Sequence, residues 1–178
     1  MTFLHEPSAT AGEVEMLLFA LERSRAQFAW KTGGLDAAGL RRPQPPSTLT
    51  LAGLLKHMAL VEELHTIDYT GEAPGPPLDA PEARTDVDWQ WRSAADDTPE
   101  YLYGLWQGAV EHSRAAMAAA LADGGLDQPA KYRKFDDGEA PNLRRLLVDL
   151  HDEYARHVGH ADLLREAVDG LVGEDPPL

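Results

Sequence analysis

The sequence predicts an all-α protein, a four-helix bundle in which a long crossover connection joins the second and third helices. Four separate segments repeat apolar residues at intervals of three and four, the spacing that places them on one face of a helix. No segment shows the sustained apolar and polar alternation of a half-buried strand. A proline-rich stretch from Gly71 to about Ala95 separates the second and third segments, and long crossovers of this kind occur in some bundles.

The first two helices are marked by their apolar spacing and by the residues at their ends. The first is expected over about residues 12–30, and Gly33-Gly34 ends it. Prolines at 43, 45 and 46 then require an extended link. The second helix is expected to start with Ser47 or Thr48 as its cap and to run to about Thr70, with His57 at its middle.

The third and fourth helices carry clearer start signals. Thr98 precedes a first-turn proline and acid, which is typical of a helix start, and Gly124-Gly125 ends this helix. The fourth is expected from near Asn142 to about Gly170, after a polar connection over residues 126–141. The chain is therefore interpreted as a single domain, residues 1–178, with a loose acidic tail from about residue 171.

Composition excludes several classes of function. A formal net charge of −14 argues against a protein that binds nucleic acid or an anionic membrane, because both rely on Lys and Arg. The chain has no cysteine, so a metal must be held by His, Asp or Glu. The N-terminal residues lack the basic, apolar and cleavage segments of a secretory signal, and no apolar run is long enough for a membrane span, which together favour a cytoplasmic protein.

The fourth helix carries three ionisable residues on a face that should be buried. The stripe in steps of three and four consists of Leu146, Leu150, Glu153, His157, His160 and Leu164. Residues four apart project in the same direction, so Glu153 and His157 can reach one metal ion, and His160 would stand close by. A polar cluster flanked by leucines on an apolar stripe indicates a site.

His57 is the candidate for a third ligand from a neighbouring helix. It lies three residues after Leu54 and four before Val61, at the edge of the apolar stripe of the second helix. Three protein ligands with the remaining positions open to water or substrate form a catalytic pattern. Two alternatives need no metal: His57 can be an ordinary boundary histidine, and the carboxylate of the fourth helix can be offset by a cation such as Arg144 or Arg156.

The chain also resembles a known family, the DinB superfamily of DinB/YfiT-like four-helix metalloenzymes, and in particular its mycothiol-dependent branch. The resemblance covers nearly the whole chain and rests on Trp30-Lys31, on residues 54–59 with Val61-Glu62, on residues 95–100, on residues 142–144 and on residues 153–166. It implies a divalent metal held by His57, Glu153 and His157, with zinc the first expectation and nickel the second. His160 would lie beside the metal or in the substrate pocket.

The resemblance further implies a thiol-dependent S-transferase or isomerase. A low-molecular-weight thiol such as mycothiol or bacillithiol would bind the metal through sulfur, lose its proton and attack an electrophilic substrate. Arg156 and Arg165 would receive carboxylates of the cofactor or substrate, although each can equally form a structural ion pair. The resemblance also implies that the chain can form a homodimer. No catalytic side chain beyond the ligands is assigned.

Two other functions remain open at this point. The same metal site could support hydrolysis by an activated water, or an isomerisation, because one open site serves several reactions. Alternatively, the chain could be a non-catalytic, stress-linked metal-binding protein. Binding of a thiol to the metal would distinguish thiol transfer from hydrolysis or isomerisation. A protein whose thermal stability is the same without metal would favour the non-catalytic alternative.

Overall fold

The computed structural model describes residues 5–132 and 138–176, and these form an all-α structure. In chain order the helices are α1 (Glu13–Thr32), α2 (Ala37–Leu40), α3 (Leu51–Thr70), α4 (Pro81–Thr85), α5 (Trp89–Ser93), α6 (Pro99–Gly124), a 3-10 helix (Gly125–Asp127) and α7 (Leu143–Asp169). The described residues contain no strand, only an isolated bridge between Pro129 and Asn142. The predicted all-α class is confirmed.

The four long helices, α1, α3, α6 and α7, pack around one apolar core. Helix α3 packs against both α6 and α7, and α1 packs against α7. Fully buried side chains from three of these helices, among them Phe28, Leu54, Met58 and Leu150, belong to one continuous hydrophobic cluster. Burial of these apolar stripes is what stabilises helices of this kind. The arrangement holds α3 and α7 side by side, as a site shared between them requires.

The predicted capping residues of α6 and α7 are confirmed, but α3 starts after a different residue from the two that were predicted. Thr98 and Asn142 accept hydrogen bonds from backbone N–H groups in the first turns of their helices, as expected. Helix α3 begins at Leu51, and its cap is Thr50, whose hydroxyl accepts from the N–H of Gly53 at 3.0 Å. Ser47, one of the predicted caps, instead accepts from the N–H of Leu49. The prediction was wrong because Ser47 closes a local turn after the prolines.

The connection between α3 and α6 contains structure that periodicity does not reveal. It forms the short helices α4 and α5, each of five residues, and α5 packs against α3. Lys56 of α3 anchors this region, since its ammonium lies 2.6 Å from Asp97 and 4.7 Å from the ring centroid of Trp89. Segments of one or two turns are too short to show a helical period.

The connection after α6 contributes the buried side chain of Leu126 to the hydrophobic cluster. Of the connection over 126–141, residues 133–137 lie outside the described residues. The described part of the C-terminal tail lies beside α1, where Gln27 donates to Asp175 at 2.9 Å. No helix in the described ranges combines the length and the apolar character that a bilayer crossing requires.

Candidate metal centre

Helices α3 and α7 bring His57, Glu153 and His157 together. One ligand atom from each of the three lies within 4.8 Å of the others. The carboxylate oxygen Oε2 of Glu153 is 3.7 Å from Nε2 of His57 and 3.4 Å from Nε2 of His157. The two imidazole centroids are 4.6 Å apart. Two nitrogens and one oxygen at this spacing form a donor set that divalent zinc accepts.

His57 is the most unusual of the three side chains. Both of its ring nitrogens are buried and have no hydrogen-bond partner among the described residues. Burial lowers the pKa of His57 to about 4, so its imidazole is neutral at neutral pH. A buried neutral imidazole normally satisfies both nitrogens, and an unsatisfied one costs free energy. A metal ion on one nitrogen would remove part of that cost.

His157 is held in the same protonation state. Its side chain is 9% exposed, and burial, followed by the neighbouring His57, lowers its pKa to about 4, although Glu153 acts in the opposite direction. The contacts of Glu153 with the two histidines are therefore not ion pairs at neutral pH. Both imidazoles keep a lone pair available for a cation.

Glu153 lies at the rim of the centre. About a third of its side chain, 32%, is exposed, whereas the sequence placed it on the buried stripe. The core position beside it is occupied by Tyr154, which is fully buried. The two cations considered above as alternatives to a metal are poorly placed: Arg156 is 66% exposed and 3.9 Å from the Glu153 carboxylate, and Arg144 pairs with Glu13 and Asp127. An isolated exposed contact of that length contributes little.

His160 contacts His157, one of the three candidate ligands. Its Nδ1 lies 3.3 Å from Nδ1 of His157, and one of the two nitrogens must carry the shared hydrogen. This contact occupies Nδ1 of His157 and leaves Nε2 directed at Glu153. Histidines that ligate metals commonly have their other nitrogen fixed in this way.

Trp91 covers one face of His57, and sequence analysis did not single it out. Its ring stacks on the imidazole with centroids 4.7 Å apart and an interplanar angle of 23°. Gly53, one turn before His57 on α3, leaves the room that the indole needs. Trp91 lies on a short helix inside a proline-rich connection, so no sequence signal distinguished it from the other three tryptophans.

Most of the chain matches a known protein family. Residues 16–170 match the family described as Mycothiol-S-transferase. The chain belongs to this family. The match confirms the resemblance to the DinB superfamily and its mycothiol-dependent branch. No curated protein matches the chain.

In this member of the mycothiol-S-transferase family, the two arginines predicted to bind the cofactor lie in different environments. Arg156 is exposed on α7 next to Glu153. Arg165 is 8% exposed, donates to the backbone carbonyls of Lys31 and Gly33, and pairs with Asp169 at 2.9 Å. These bonds attach the C-terminal part of α7 to the end of α1. Binding of the cofactor by either arginine stays a prediction.

A buried ionic network lies next to the centre and was also missed. The guanidinium of Arg25 on α1 makes two hydrogen bonds, at 2.8 and 2.6 Å, to the carboxylate of Glu62 on α3. Tyr154 of α7 donates to the same carboxylate at 2.5 Å and accepts from the indole of Trp106 on α6 at 2.9 Å. The network thus joins all four long helices. Tyr154 is adjacent to Glu153 in the chain, so it also fixes α7 against α3.

We expect that replacing Gly53 by alanine disturbs the stacking of Trp91 on His57. A Cβ at this position would lie 2.8 Å from Cε3 of the indole, which is closer than such contacts occur. The steric cost should exceed the roughly 0.5–1 kcal/mol that alanine gains over glycine in a helix, giving net destabilisation of about 1 kcal/mol. Urea unfolding of the metal-free protein measures this.

Gly104→Ala is the matched control, because Gly104 also lies inside a long helix and its Cβ would meet nothing within 4 Å. This variant should gain roughly 0.5–1 kcal/mol. If both alanine variants are equally stabilised, the close approach of Trp91 to α3 is not a constraint on the fold.

Proposed function

We propose that this chain is a metal-dependent thiol S-transferase. In this proposal His57, Glu153 and His157 hold one divalent ion, zinc first and nickel second, and a low-molecular-weight thiol reacts there with an electrophile. The observation that carries the proposal is that three ligand atoms lie within 4.8 Å of one another. One of them belongs to His57, whose two ring nitrogens are buried without a hydrogen-bond partner among the described residues. Membership of the mycothiol-S-transferase family supports the type of reaction.

The donor set suits this chemistry. A divalent ion bound there would supply Lewis acidity, through which a coordinated thiol loses its proton at neutral pH and becomes a strong nucleophile. Two neutral histidines and one carboxylate leave a net positive charge on such a centre, which favours an anionic sulfur ligand. The chain itself has no cysteine, so the sulfur must come from a cosubstrate.

The protein's own side chains perform three tasks in this proposal. Burial keeps His57 and His157 neutral, so that both can act as ligands. The contact with His160 holds the ring of His157 in one orientation. Trp91 covers one face of His57, whereas Glu153 lies partly in solvent, so the thiol and the electrophile are expected to approach from the side of Glu153.

The transfer step needs no further redox partner. The thiol sulfur forms a bond to the electrophilic carbon of the second substrate. The leaving group departs with the electron pair of the broken bond, and the thiol proton passes to solvent. The residues described here therefore need only to bind and orient the reactants, which is how most of the rate enhancement of such displacements can arise.

Cobalt-substituted protein tests the proposal. Cobalt(II) accepts the same nitrogen and oxygen ligands as zinc and reports sulfur ligation through a near-ultraviolet charge-transfer band. We expect mycothiol to produce this band, and the analogue with serine in place of cysteine to produce none. With zinc-loaded protein and an alkyl halide, mass spectrometry should detect the thioether that results from loss of the halide.

Two results would contradict the proposal. If the cobalt-loaded protein binds one ion per chain but shows no sulfur band, thiol activation is excluded and metal-dependent hydrolysis becomes the alternative to test. If the band forms and no thioether accumulates above the rate without protein, the chain binds a thiol without transferring it.

A further inference from the structure

The ring of His57 is not held by a hydrogen bond from any described residue. Both of its nitrogens are buried, and Oε2 of Glu153, 3.7 Å from Nε2, lies beyond hydrogen-bond distance. His157 differs, because its Nδ1 lies 3.3 Å from Nδ1 of His160. A histidine that binds a metal commonly has its second nitrogen fixed by such a contact. Another interaction must therefore set the plane of the His57 imidazole.

Trp91 makes the contact that can set this plane. Its indole stacks on the imidazole of His57, with the ring centroids 4.7 Å apart and the two planes inclined by 23°. His157 lies at a steep angle to the same imidazole, with centroids 4.6 Å apart and an interplanar angle of 61°. Rotation of the imidazole about its Cβ–Cγ bond would give up the stacked contact, so the flat indole favours one orientation of the ring.

Trp91 is itself held in place by helix α3. The short helix α5 packs against α3, and Gly53 lets the indole approach closely, since a Cβ there would lie 2.8 Å from Cε3. Lys56 fastens the same short helix, because its ammonium lies 4.7 Å from the ring centroid of Trp89. Both anchors precede His57 on the same helix, so the indole and the imidazole are fixed relative to each other.

We propose that Trp91 is a positioning residue of the metal centre. Its indole holds the imidazole of His57 in the plane that directs Nε2 toward Glu153. The inference rests on the proposed metal-dependent function and adds to it a residue that binds no metal. A ligand that is already ordered loses less conformational freedom on binding, so the stack should raise the affinity for the ion. The crossover connection then supports the centre through α5 without supplying a ligand.

Zinc affinity of the full-length protein, measured by competition with a chromophoric chelator, tests the inference in Trp91→Ala and Trp91→Phe. We expect the alanine variant to bind zinc roughly ten- to 100-fold more weakly, as when a group that orients a metal ligand is removed. The phenylalanine variant keeps a flat ring beside the imidazole, so its affinity should stay within about three-fold of the wild type. This measurement does not depend on catalytic activity.

The visible absorption bands of bound cobalt(II) give a second measurement, because their position and intensity depend on the geometry of the ligands. Trp91→Ala should change these bands, and Trp91→Phe should restore them. A purely structural role for Trp91 would lower the midpoint of thermal unfolding without changing the bands or the affinity of the folded protein.

Gly53→Ala is a second variant, and it retains the indole. The added Cβ would crowd Trp91 and shift it from the imidazole, so zinc should bind about three- to ten-fold more weakly. Gly104→Ala, whose Cβ would meet nothing within 4 Å, should bind zinc as the wild type does. This pair of variants decides the question if Trp91→Ala does not fold.

Trp30→Ala is the matched control for loss of an indole. Trp30 is also half-buried, but it lies on α1, which carries none of the three candidate ligands, and packs under the ammonium of Lys31 at 4.2 Å. Its replacement should lower the stability of the protein. Zinc affinity should stay within about two-fold of the wild type, and the cobalt bands should not change.

The outcomes separate this inference from the proposed function. If the wild type binds zinc and Trp91→Ala binds it equally well with unchanged cobalt bands, the inference is wrong and the metal centre stands. Equal losses of affinity in Trp91→Ala and Trp30→Ala would also overturn it, because the effect would then reflect general stability. Equal losses in Trp91→Ala and Trp91→Phe would show that a stacked ring is not what matters. If the wild type binds no zinc, the proposed function fails and the inference fails with it.

Discussion

Replacing His57, Glu153 or His157 by alanine is expected to remove most of the bound metal from the purified protein. Each variant deletes one of three ligand atoms that lie within 4.8 Å of one another. Because two protein ligands hold a metal ion much more weakly than three, affinity should fall by more than about 100-fold, a larger loss than the removal of a supporting residue causes. Elemental analysis for zinc, nickel, iron and manganese measures the loss.

His160→Ala should behave differently from the ligand variants. His160 contacts Nδ1 of His157 and would orient that ring without binding the ion. We expect roughly ten- to 100-fold weaker binding, so that metal is retained when it is supplied in excess. Loss of metal as complete as in His157→Ala would instead make His160 a direct ligand.

His112→Ala is the matched control for these four variants. His112 lies on α6, its side chain is 46% exposed, and its ring nitrogen is 3.2 Å from Glu63. It should keep about one ion per chain. If the wild-type protein binds no metal even when zinc or nickel is supplied, the three side chains need another explanation, and the proposed function fails with them.

The helical period is the reason that the proximity of Glu153 and His157 could be predicted from the sequence. Glu153 and His157 are four residues apart on α7, and any regular helix directs such side chains to the same side. The leucines that flank them are buried, as the stripe required. Periodicity within one helix does not give the distance to another helix, so the place of His57 in the site needed the packing of α3 against α7.

Trp91 and the Arg25–Glu62 pair show where sequence reasoning failed. Trp91 belongs to a five-residue helix, which is shorter than two turns and has no detectable period. Arg25 and Glu62 lie on different helices, 37 positions apart in the chain, and the sequence analysis did not predict that they pair. A single sequence does not reveal which charged groups meet across helices, because many pairings satisfy the same spacing.

The buried pair of Arg25 and Glu62 should be among the costliest positions in the fold to change. Both side chains are at most 2% exposed. Burial alone would lower the pKa of the Arg25 guanidinium, but the adjacent Glu62 carboxylate raises it above its ordinary value, so the guanidinium stays charged. Arg25→Met would leave the Glu62 carboxylate buried, with Tyr154 as its remaining side-chain donor among the described residues. We expect this to cost about 3–5 kcal/mol in the free energy of unfolding.

The midpoint of thermal unfolding of Arg25→Met should fall by roughly 10 °C or more, because each kcal/mol shifts a domain of this size by about 2–4 °C. Arg144→Met is the control, since its ion pairs with Glu13 and Asp127 are exposed, and its midpoint should barely move. Metal-free protein is used for both variants, so that a change at the metal centre does not contribute.

A double variant, Arg25→Met with Glu62→Met, tests whether the fold needs the ion pair itself or only needs to avoid a buried charge without its partner. Removing both charges eliminates the unpaired carboxylate and leaves Tyr154 bonded to Trp106. The double variant should therefore be more stable than Arg25→Met alone, since hydrophobic replacement of a buried pair is often neutral. Destabilisation equal to the sum of the two single variants would show that the two residues act independently. The close contact between their side chains argues against that result.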